Sequence, residues 1–384
     1  MIDKQILTEK FRESFGMEKP RLFTAPGRIN IIGEHTDYNG GFVLPGAVDK
    51  AISMAVSPNG SKMVKLVSLD YDGAVCSFEI GGPQPEAQWA SYFYGVIEEM
   101  RKRGAVVGGF DAVFGGDVPL GAGMSSSAAL ESCVGTALNT LFSLGFTKEE
   151  LAKIGQMTEH HYIGVRCGIM DQFASIFGQQ GKVVRLDCRS LEYTLVPFHP
   201  EGIEIVLIDT MVKHTLASSE YNVRRAQCEA GVAVIKKYRP EVELLRDVTL
   251  AELEAHRDEI DPVAFRRCAF VINENKRLMA ACAAMEKDDF AEVGRQIYGS
   301  HDGLSQEYGV SCEELDFIVG VARRHADVLG ARMMGGGFGG CVIALVKQEG
   351  RAAYIADVKQ QYLARFGKDP RVIEVKISDG AREC

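Results

Sequence analysis

The chain has 384 residues, of which 46% are hydrophobic and 25% are charged, so it is long enough for two packed domains with a large core. Its formal net charge of −9 excludes a general binder of nucleic acid or membrane surfaces, and an anionic ligand must therefore be held by local groups. Ten cysteines without a CxxC pair, no export signal and no apolar run of ~20 residues predict a cytoplasmic chain with reduced thiols and no membrane contact.

The predicted elements of the first half are mainly strands, with one helix before them and further helices after them. In chain order they are a helix at 4–15 and strands at 21–25, 28–32, 42–55 and 109–114. A glycine- and serine-rich segment at 115–127 follows, and after it apolar residues recur at helical spacing. Thr147 and Glu150 then form a capping box that begins a further helix.

The second half is richer in helices. In chain order the pattern predicts strands near 183–187 and 203–210, helices near 218–238, 263–285, 288–306 and 312–328, and strands near 331–334 and 341–347. The whole pattern is typical of an α+β protein. Pro197 and Pro200 favour a domain boundary near 195–203, which divides the chain into residues 1–199 and 200–384.

The segment Pro119–Ala129 lies between a predicted strand and a predicted helix. Its glycines let backbone amides approach a ligand, and the helix start offers unpaired N–H groups and a positive dipole end. Its serine hydroxyls add donors and could also ligate Mg²⁺. These features predict a phosphate cradle, although an ordinary glycine-rich turn capped by serine would contain the same residues. The segment is not a Walker A loop, because GxxxxGK[ST] is absent from the chain.

A second glycine cluster, Gly335–Gly340, is unsuited to a plain strand or helix. We interpret it as a tight turn beside a ligand, with a flexible hairpin as the alternative. Earlier in the chain, Glu34, His35 and Asp37 share a polar loop that could both donate to and accept from sugar hydroxyls. Arg28 lies on an apolar strand and so needs an acidic or phosphate partner, which a structural salt bridge would equally provide.

Two acidic residues further along the chain also need hydrogen-bonding or positively charged partners if they are buried. Asp171 has apolar neighbours and should be paired, or else protonated, if it is buried. Glu159 falls on the apolar face of its predicted helix, where a magnesium ion near Ser125–Ser127 would supply a counter-charge. The alternative for Glu159 is a helix-edge side chain that reaches solvent.

Together these segments resemble the galactokinases, a branch of the GHMP small-molecule kinase family. Pro26–Gly41 is similar to the galactokinase signature, and Pro119–Ala128 to the phosphate-binding motif that all branches share. Met334–Cys341 is similar to the third family motif, and Ser219–Arg225 resembles the segment that contributes a sugar-contacting tyrosine. The resemblance covers essentially the whole chain.

The resemblance implies a two-domain GHMP kinase fold. Its N-terminal domain would be like domain 2 of ribosomal protein S5, its C-terminal domain would be α+β, and the active site would lie in the cleft between them. The implied enzyme is a phosphotransferase with an alcohol group as acceptor, which converts ATP and α-D-galactose to galactose 1-phosphate and ADP with Mg²⁺ as cofactor. This is the first committed step of the Leloir pathway, and we expect a cytoplasmic monomer.

The resemblance also assigns roles by position in the motifs. Asp171 matches the catalytic aspartate and Arg28 its partnering arginine, while Ser127 and Glu159 match the Mg²⁺ ligands. The sugar-binding positions correspond to Glu34, His35, Thr36, Asp37 and Tyr221. The nucleotide-binding positions correspond to Ser68, Gly121, Ala122, Gly123, Met124, Ser125, Ser126 and Ser127. On this interpretation Asp171 takes the proton of the anomeric hydroxyl, or it acts with Arg28 mostly as an electrostatic orienter.

Three other functions share some of these sequence features. A kinase of the same family acting on N-acetylgalactosamine or another sugar stays open, although the polar loop 34–39 favours unmodified galactose. A sensor that binds galactose and ATP without catalysis would carry a damaged serine–alanine segment, whereas Ser125–Ala128 is intact. A dinucleotide-dependent oxidoreductase is excluded because the chain lacks the dinucleotide-binding glycine fingerprint and the acidic residue that would bind the ribose.

Overall fold

The computed structural model describes residues 3–17, 19–119, 121–198, 200–212 and 217–384, with only the backbone at 217–219. Leu120 of the predicted cradle and residue 199 of the predicted boundary therefore lie outside the described residues. The elements of the first half are α1 (Lys4–Phe15), β1 (Arg21–Asn30), β2 (Phe42–Val43), β3 (Pro45–Pro58), β4 (Met63–Ser68), β5 (Ala74–Glu79), α2 (Ala90–Lys102), β6 (Phe110–Gly116), α3 (Ser126–Leu141), α4 (Lys148–Thr158), α5 (Met170–Phe177), β7 (Lys182–Asp187) and β8 (Tyr193–Pro197).

The second half has its own sheet and most of the longer helices. Its elements are β9 (Ile203–Asp209), α6 (Ala217–Lys236), α7 (Leu250–Ala255), α8 (Pro262–Met285), α9 (Phe290–Asp302), α10 (Glu313–Ala322), β10 (Val328–Met333), β11 (Cys341–Lys347), α11 (Arg351–Phe366), β12 (Arg371–Glu374) and β13 (Arg382–Glu383). Within the described ranges, no helix has both the length and the apolar character needed to cross a bilayer.

A six-stranded sheet in the order β13-β1-β3-β6-β4-β5 organises the first half. Side chains alternate between its two faces: Met54 and Val56 of β3 belong to the large core on one side, whereas Ala55 packs with Leu7 and Phe11 of α1 on the other. Helices α3 and α5 lie against β1. This packing brings the start of α3 and the start of α5 to the same strand, and both helix starts contribute to the site.

The second sheet is antiparallel, in the order β10-β11-β9-β12. Its contacts with the first half are extensive, because the large core also contains Leu278 of α8 and Ile343 of β11. The end of the chain returns to the first sheet, where Glu383 of β13 pairs with Phe23 and forms an ion pair with Arg21 at 2.6 Å. The division at residues 199 and 200 stays a prediction.

Several predicted boundaries were wrong. The strands expected at 21–25 and 28–32 form one strand, β1, with an irregularity between Pro26 and Arg28. The strand expected at 42–55 is interrupted at Leu44. The helix expected at 312–328 ends at Ala322, because the apolar residues from Val328 onward pair with β11 instead of continuing the helical face. The capping box of Thr147 and Glu150 is confirmed at the start of α4.

Candidate active site

A cavity of about 410 Å³ lies between the two halves of the chain. Its wall includes many of the residues singled out by sequence, namely Arg28, Glu34, His35, Asp37, Ser127, Glu159, Asp171 and Tyr221. A more open groove of about 690 Å³ between Phe42 and Tyr193 contains none of them. Buried acids, a buried arginine and glycine backbone meet only at the first of these two, so we assign the site there.

Asp171 lies in the first turn of α5 and is held by two donors. Arg28 donates from Nε to Asp171 Oδ1 at 2.8 Å, and the Ser125 hydroxyl donates to Oδ2 at 2.5 Å. Arg28 is 4% exposed. Burial lowers its pKa, but attraction to Asp171 and Glu34 outweighs burial and leaves that pKa raised. The Asp171 carboxylate thus has a charged, buried donor on one oxygen and a hydroxyl on the other.

The segment 121–127 leads from β6 into α3 and forms hydrogen bonds with Arg28 in the irregular part of β1. The Arg28 amide donates to the Met124 carbonyl at 3.1 Å, and the Arg28 guanidinium also donates to the Gly123 carbonyl. The side chains of Ala122 and Met124 are buried in the core, so the segment presents backbone and serine groups outward. Ser125 has a φ of 56°, which turns the chain sharply into the first turn of α3. Unpaired N–H groups of that first turn suit an anion.

The two glycine clusters pack against each other. A Cβ placed on Gly123 would lie 2.9 Å from the Met334 carbonyl oxygen, and one on Gly335 would lie 3.3 Å from the Gly123 Cα. Backbones can approach this closely only where side chains are missing. The run Gly335–Gly340 is therefore a turn that supports the segment 121–127, and its Gly335 and Gly336 also line the cavity.

Glu159 and Ser127 meet on another part of the wall. Glu159 begins a π-helical turn, Glu159–Ile163, that continues α4, and it lines the cavity together with Ser127. Burial, together with repulsion from Asp171, raises the pKa of Glu159 to about 7, although the nearby Ser127 hydroxyl acts in the opposite direction. A carboxylate that is costly to ionise without a cation, next to a hydroxyl oxygen, fits a hard divalent ion such as Mg²⁺.

The polar loop after β1 supplies Glu34, His35 and Asp37. Glu34 Oε1 accepts from the amide of Gly335 at 2.8 Å. Burial and repulsion from Asp171 raise the pKa of Asp37 to about 7, while the Tyr38 amide donates to its Oδ1 at 2.9 Å. Burial, helped by the charge of Arg224, lowers the pKa of His35 to about 3, so its ring is neutral.

Rings surround His35. Its Nδ1 is 2.8 Å from the Tyr38 hydroxyl, which is 2.6 Å from the Tyr308 hydroxyl. The ring centroid of Tyr221, on α6, is 5.4 Å from that of His35. Of these rings, His35 and Tyr221 line the cavity together with the acids Glu34 and Asp37, so the polar pocket also has an aromatic part.

Several residues assigned by resemblance lie outside the cavity wall, namely Gly121–Ser126, which precede the wall residue Ser127, and also Thr36 and Ser68. Thr36 is completely buried, and its hydroxyl oxygen lies 2.9 Å from the Gly33 carbonyl oxygen and 2.5 Å from that of Phe42, either of which can accept its one proton. Ser68 ends β4 and is also completely buried, with no hydrogen-bond partner for its hydroxyl among the described residues. Neither residue is part of the cavity wall. Their side-chain roles stay predictions, and for Thr36 the hydroxyl is already used in shaping the loop.

Family models match three parts of the chain. The galactokinase galactose-binding signature matches residues 9–58, the GHMP kinases N-terminal domain matches 91–179, and the GHMP kinases C-terminal domain matches 280–362. The crystal structure of Lactococcus lactis galactokinase complexed with galactose is 35% identical, covers 99% of both chains and has a TM-score of 0.94. The chain belongs to the galactokinase family.

Galactokinases phosphorylate galactose with ATP, and the chain is an enzyme of this class. Mevalonate kinases share the fold alone: that of Methanococcus jannaschii is 16% identical over 94% of this chain and 99% of its own, with a TM-score of 0.66. That of L. major is 19% identical over 95% and 100%, with a TM-score of 0.61. The predicted two-domain GHMP kinase class is confirmed.

Sequence reasoning about this galactokinase-family chain missed two buried charged residues near the cavity. Arg332 is completely buried and contacts Glu34. Glu131, one turn after Ser127 on α3, is 2% exposed and accepts from Gln172 at 2.9 Å, and burial raises its pKa. Arg332 carries the same sequence signal as Arg28, a cation among apolar strand residues.

Proposed function

We propose that this enzyme transfers the γ-phosphoryl group of ATP to the anomeric hydroxyl of α-D-galactose, with Asp171 as the group that receives the hydroxyl proton. One observation carries the proposal. The Asp171 carboxylate lies on the cavity wall between the segment 121–127, which suits phosphates, and the loop of Glu34 and Asp37, which suits hydroxyls. A sugar hydroxyl bound between those two regions would lie close to the Asp171 carboxylate, which can take its proton as the hydroxyl attacks the γ-phosphoryl group.

Arg28 and Ser125, the two donors to Asp171, also fit phosphoryl transfer, which depends mainly on positioning and on neutralising charge. Arg28 contacts Asp171 and the Gly123 carbonyl with the same guanidinium. It can therefore orient the carboxylate and offset negative charge that develops on the transferred group. Ser125 holds the second carboxylate oxygen, which restricts the rotation of Asp171.

Sugar recognition is assigned to the polar loop and α6. Glu34 and Asp37 can accept hydrogen bonds from sugar hydroxyls, and the neutral His35 ring can donate or accept. The His35 side chain belongs to the cavity wall, beside Gly336. Tyr221 supplies a ring for the apolar face of the sugar.

Mg²⁺ is the cofactor that the geometry supports, and Ser127 and Glu159 are the residues that would hold it. Few protein ligands are needed, because Mg²⁺ in kinase sites is completed by substrate phosphates and water. When bound, the ion neutralises phosphate charge. We further propose a cytoplasmic monomer, and the ten free thiols are compatible with a reducing compartment.

The test is a substrate panel. Purified protein with ATP and Mg²⁺ is offered galactose, N-acetylgalactosamine, glucose and mannose, and ADP release is followed. We expect galactose to give the highest kcat/KM. A higher kcat/KM for N-acetylgalactosamine would reassign the substrate, and no hexose-dependent ADP release would reject the proposal.

A further inference from the structure

Arg332, near the end of β10, is a charged residue buried between the two halves of the chain. It is completely buried. Its Nε donates to the Ile31 carbonyl at 2.9 Å, its Nη1 donates to the Met333 carbonyl at 2.6 Å, and its Nη2 donates to the Asn30 carbonyl. The planar guanidinium thus binds the end of β1 from a strand of the other sheet, with donors in a fixed fork.

The acidic partner of Arg332 is Glu34. Both Nη1 and Nη2 donate to Glu34 Oε1 at 3.1 Å, and the Glu34 side chain is 3% exposed. A buried ion pair of this kind is not required for stability, since well-packed apolar residues of similar volume often serve as well. Glu34, however, lines the cavity. The Arg332–Glu34 ion pair therefore reaches the cavity, a position that an ion pair with only a structural role would not need.

Among the described residues, the hydrogen bonds to the Glu34 side chain are made to one carboxylate oxygen. Oε1 accepts from the two Arg332 nitrogens and from the Gly335 amide at 2.8 Å. This leaves Oε2 as the oxygen that can accept from a ligand hydroxyl, in an orientation set by the donors on Oε1.

The Gly335 amide extends this arrangement to the nucleotide side of the cavity. Gly335 packs against Gly123, since a Cβ on Gly335 would lie 3.3 Å from the Gly123 Cα. The Gly123 carbonyl in turn accepts from Arg28, the partner of Asp171. A continuous set of contacts therefore joins Glu34 to the segment 121–127.

We infer that Arg332 is a positioning residue that holds Glu34 toward the sugar and couples occupancy of the sugar site to the segment 121–127. The inference rests on the proposed function, because it takes the ligand of Glu34 to be the acceptor sugar. By linkage, a sugar that steadies Glu34 and Gly335 strengthens nucleotide binding, and nucleotide strengthens sugar binding by the same factor.

A double-mutant cycle with Arg332→Lys and Glu34→Gln tests the inference. Lysine keeps the charge but cannot form the fork with Glu34 and three carbonyls. We expect Arg332→Lys to raise the galactose KM by ~10–100-fold, with little change in the Kd of ATP measured without galactose. If Arg332 acts through Glu34, the double variant should have the galactose KM of Glu34→Gln alone, because the losses are not additive. Arg323→Lys, on the surface beside Asp302, is the matched control.

Coupling is measured directly by titrating galactose with and without a non-hydrolysable ATP analogue. We expect the ratio of the two Kd values to move toward one in Arg332→Lys. If that variant does not fold, Arg332→Met with Glu34→Gln leaves no buried charge, and its galactose KM should equal that of Glu34→Gln. A further tenfold rise there would overturn the inference.

Two outcomes separate the inference from the proposed function. An active wild type whose Arg332→Lys variant loses thermal stability but keeps its galactose KM and its coupling ratio would overturn the inference alone. A wild type that phosphorylates no hexose would overturn both.

Discussion

Arg28 and Asp171 are in contact across 143 positions of sequence, with Arg28 Nε 2.8 Å from Asp171 Oδ1. The same guanidinium donates to the Gly123 carbonyl, and the Arg28 amide donates to Met124. One residue on β1 thus sets the distance between the proposed base and the segment proposed to bind phosphate. Since phosphoryl transfer depends on alignment, this relationship is central to the proposed mechanism.

Replacing Arg28 by Lys keeps the charge but removes the fork that reaches both Asp171 and Gly123. We expect kcat to fall ~10²-fold, because misalignment of the base and the phosphate segment acts on the chemical step. Steady-state kinetics with galactose and ATP measure the effect. Arg185→Lys, outside the cavity and beside Thr194, should behave as wild type. Full kcat in Arg28→Lys would show that alignment by Arg28 is unimportant.

Asp37→Asn should weaken sugar binding, because an amide offers one acceptor oxygen in place of two. The galactose KM is expected to rise at least ~10-fold, on the scale of a lost hydrogen bond to a charged group, while the ATP KM stays the same. Substrate titrations by initial rate separate the two. A change confined to the ATP KM would show that Asp37 is not part of the sugar site.

The same variant should change the pH dependence of stability. Burial and Asp171 raise the pKa of Asp37 to about 7 in the folded protein. The protonated form is therefore favoured by folding, and stability from this group is complete below the unfolded pKa and is lost as pH rises through about 7. We expect ligand-free Asp37→Asn to gain ~1–3 kcal/mol over wild type between pH 5 and 8. Equal pH dependence in urea unfolding would contradict this sign.

Gly168→Ala probes how the loop before α5 packs on the sugar-binding loop. A Cβ at Gly168 would overlap the Asp37 carboxylate. We expect the galactose KM to rise at least ~10-fold and stability to fall by ~1–3 kcal/mol, the usual range for overpacking. Gly135→Ala in α3, where a Cβ would meet Leu151 at an ordinary 3.6 Å, is the control and should not raise the KM. Wild-type kinetics in Gly168→Ala would mean that the loop moves freely.

Glu159→Gln tests the metal assignment. Removing a carboxylate ligand should raise the Mg²⁺ concentration for half-maximal rate ~10–100-fold, and EDTA should abolish turnover by both proteins. Rates are followed while Mg²⁺ is varied at fixed ATP and galactose. The exposed Glu192→Gln is the matched control. An unchanged Mg²⁺ requirement would remove Glu159 from the proposed ligands.

Local sequence patterns predicted which segments form the site, but not which of these segments contact each other. Glycine and serine content identified the segment 121–127, and the polar loop of Glu34 and Asp37 interrupts apolar strands, so both were visible in the sequence. The bond between Arg28 and Asp171 was predicted through the family resemblance alone, because periodicity carries no information on which distant elements meet. The packing of Gly335 on Gly123 was missed for the same reason.

Other errors came from residues whose environment depends on tertiary structure. Arg332 shares with Arg28 the signal of a cation among apolar strand residues, but its partner Glu34 could not be predicted, because their contact depends on β10 lying against the end of β1. Thr36 looks like a hydroxyl available to a sugar, but its proton is donated within the loop, where the Gly33 and Phe42 carbonyls are both within reach. Helix α10 ends before 328 because sheet pairing overrides the apolar helical pattern.

The most direct test of the mechanism compares wild type with Asp171→Asn, an isosteric change that removes the base and its charge. Formation of galactose 1-phosphate from galactose and ATP is followed by ³¹P NMR, with circular dichroism to confirm folding. We predict an anomeric phosphate from wild type and a kcat at least ~10² lower in Asp171→Asn. A folded Asp171→Asn that makes the same product at the wild-type rate would contradict the account.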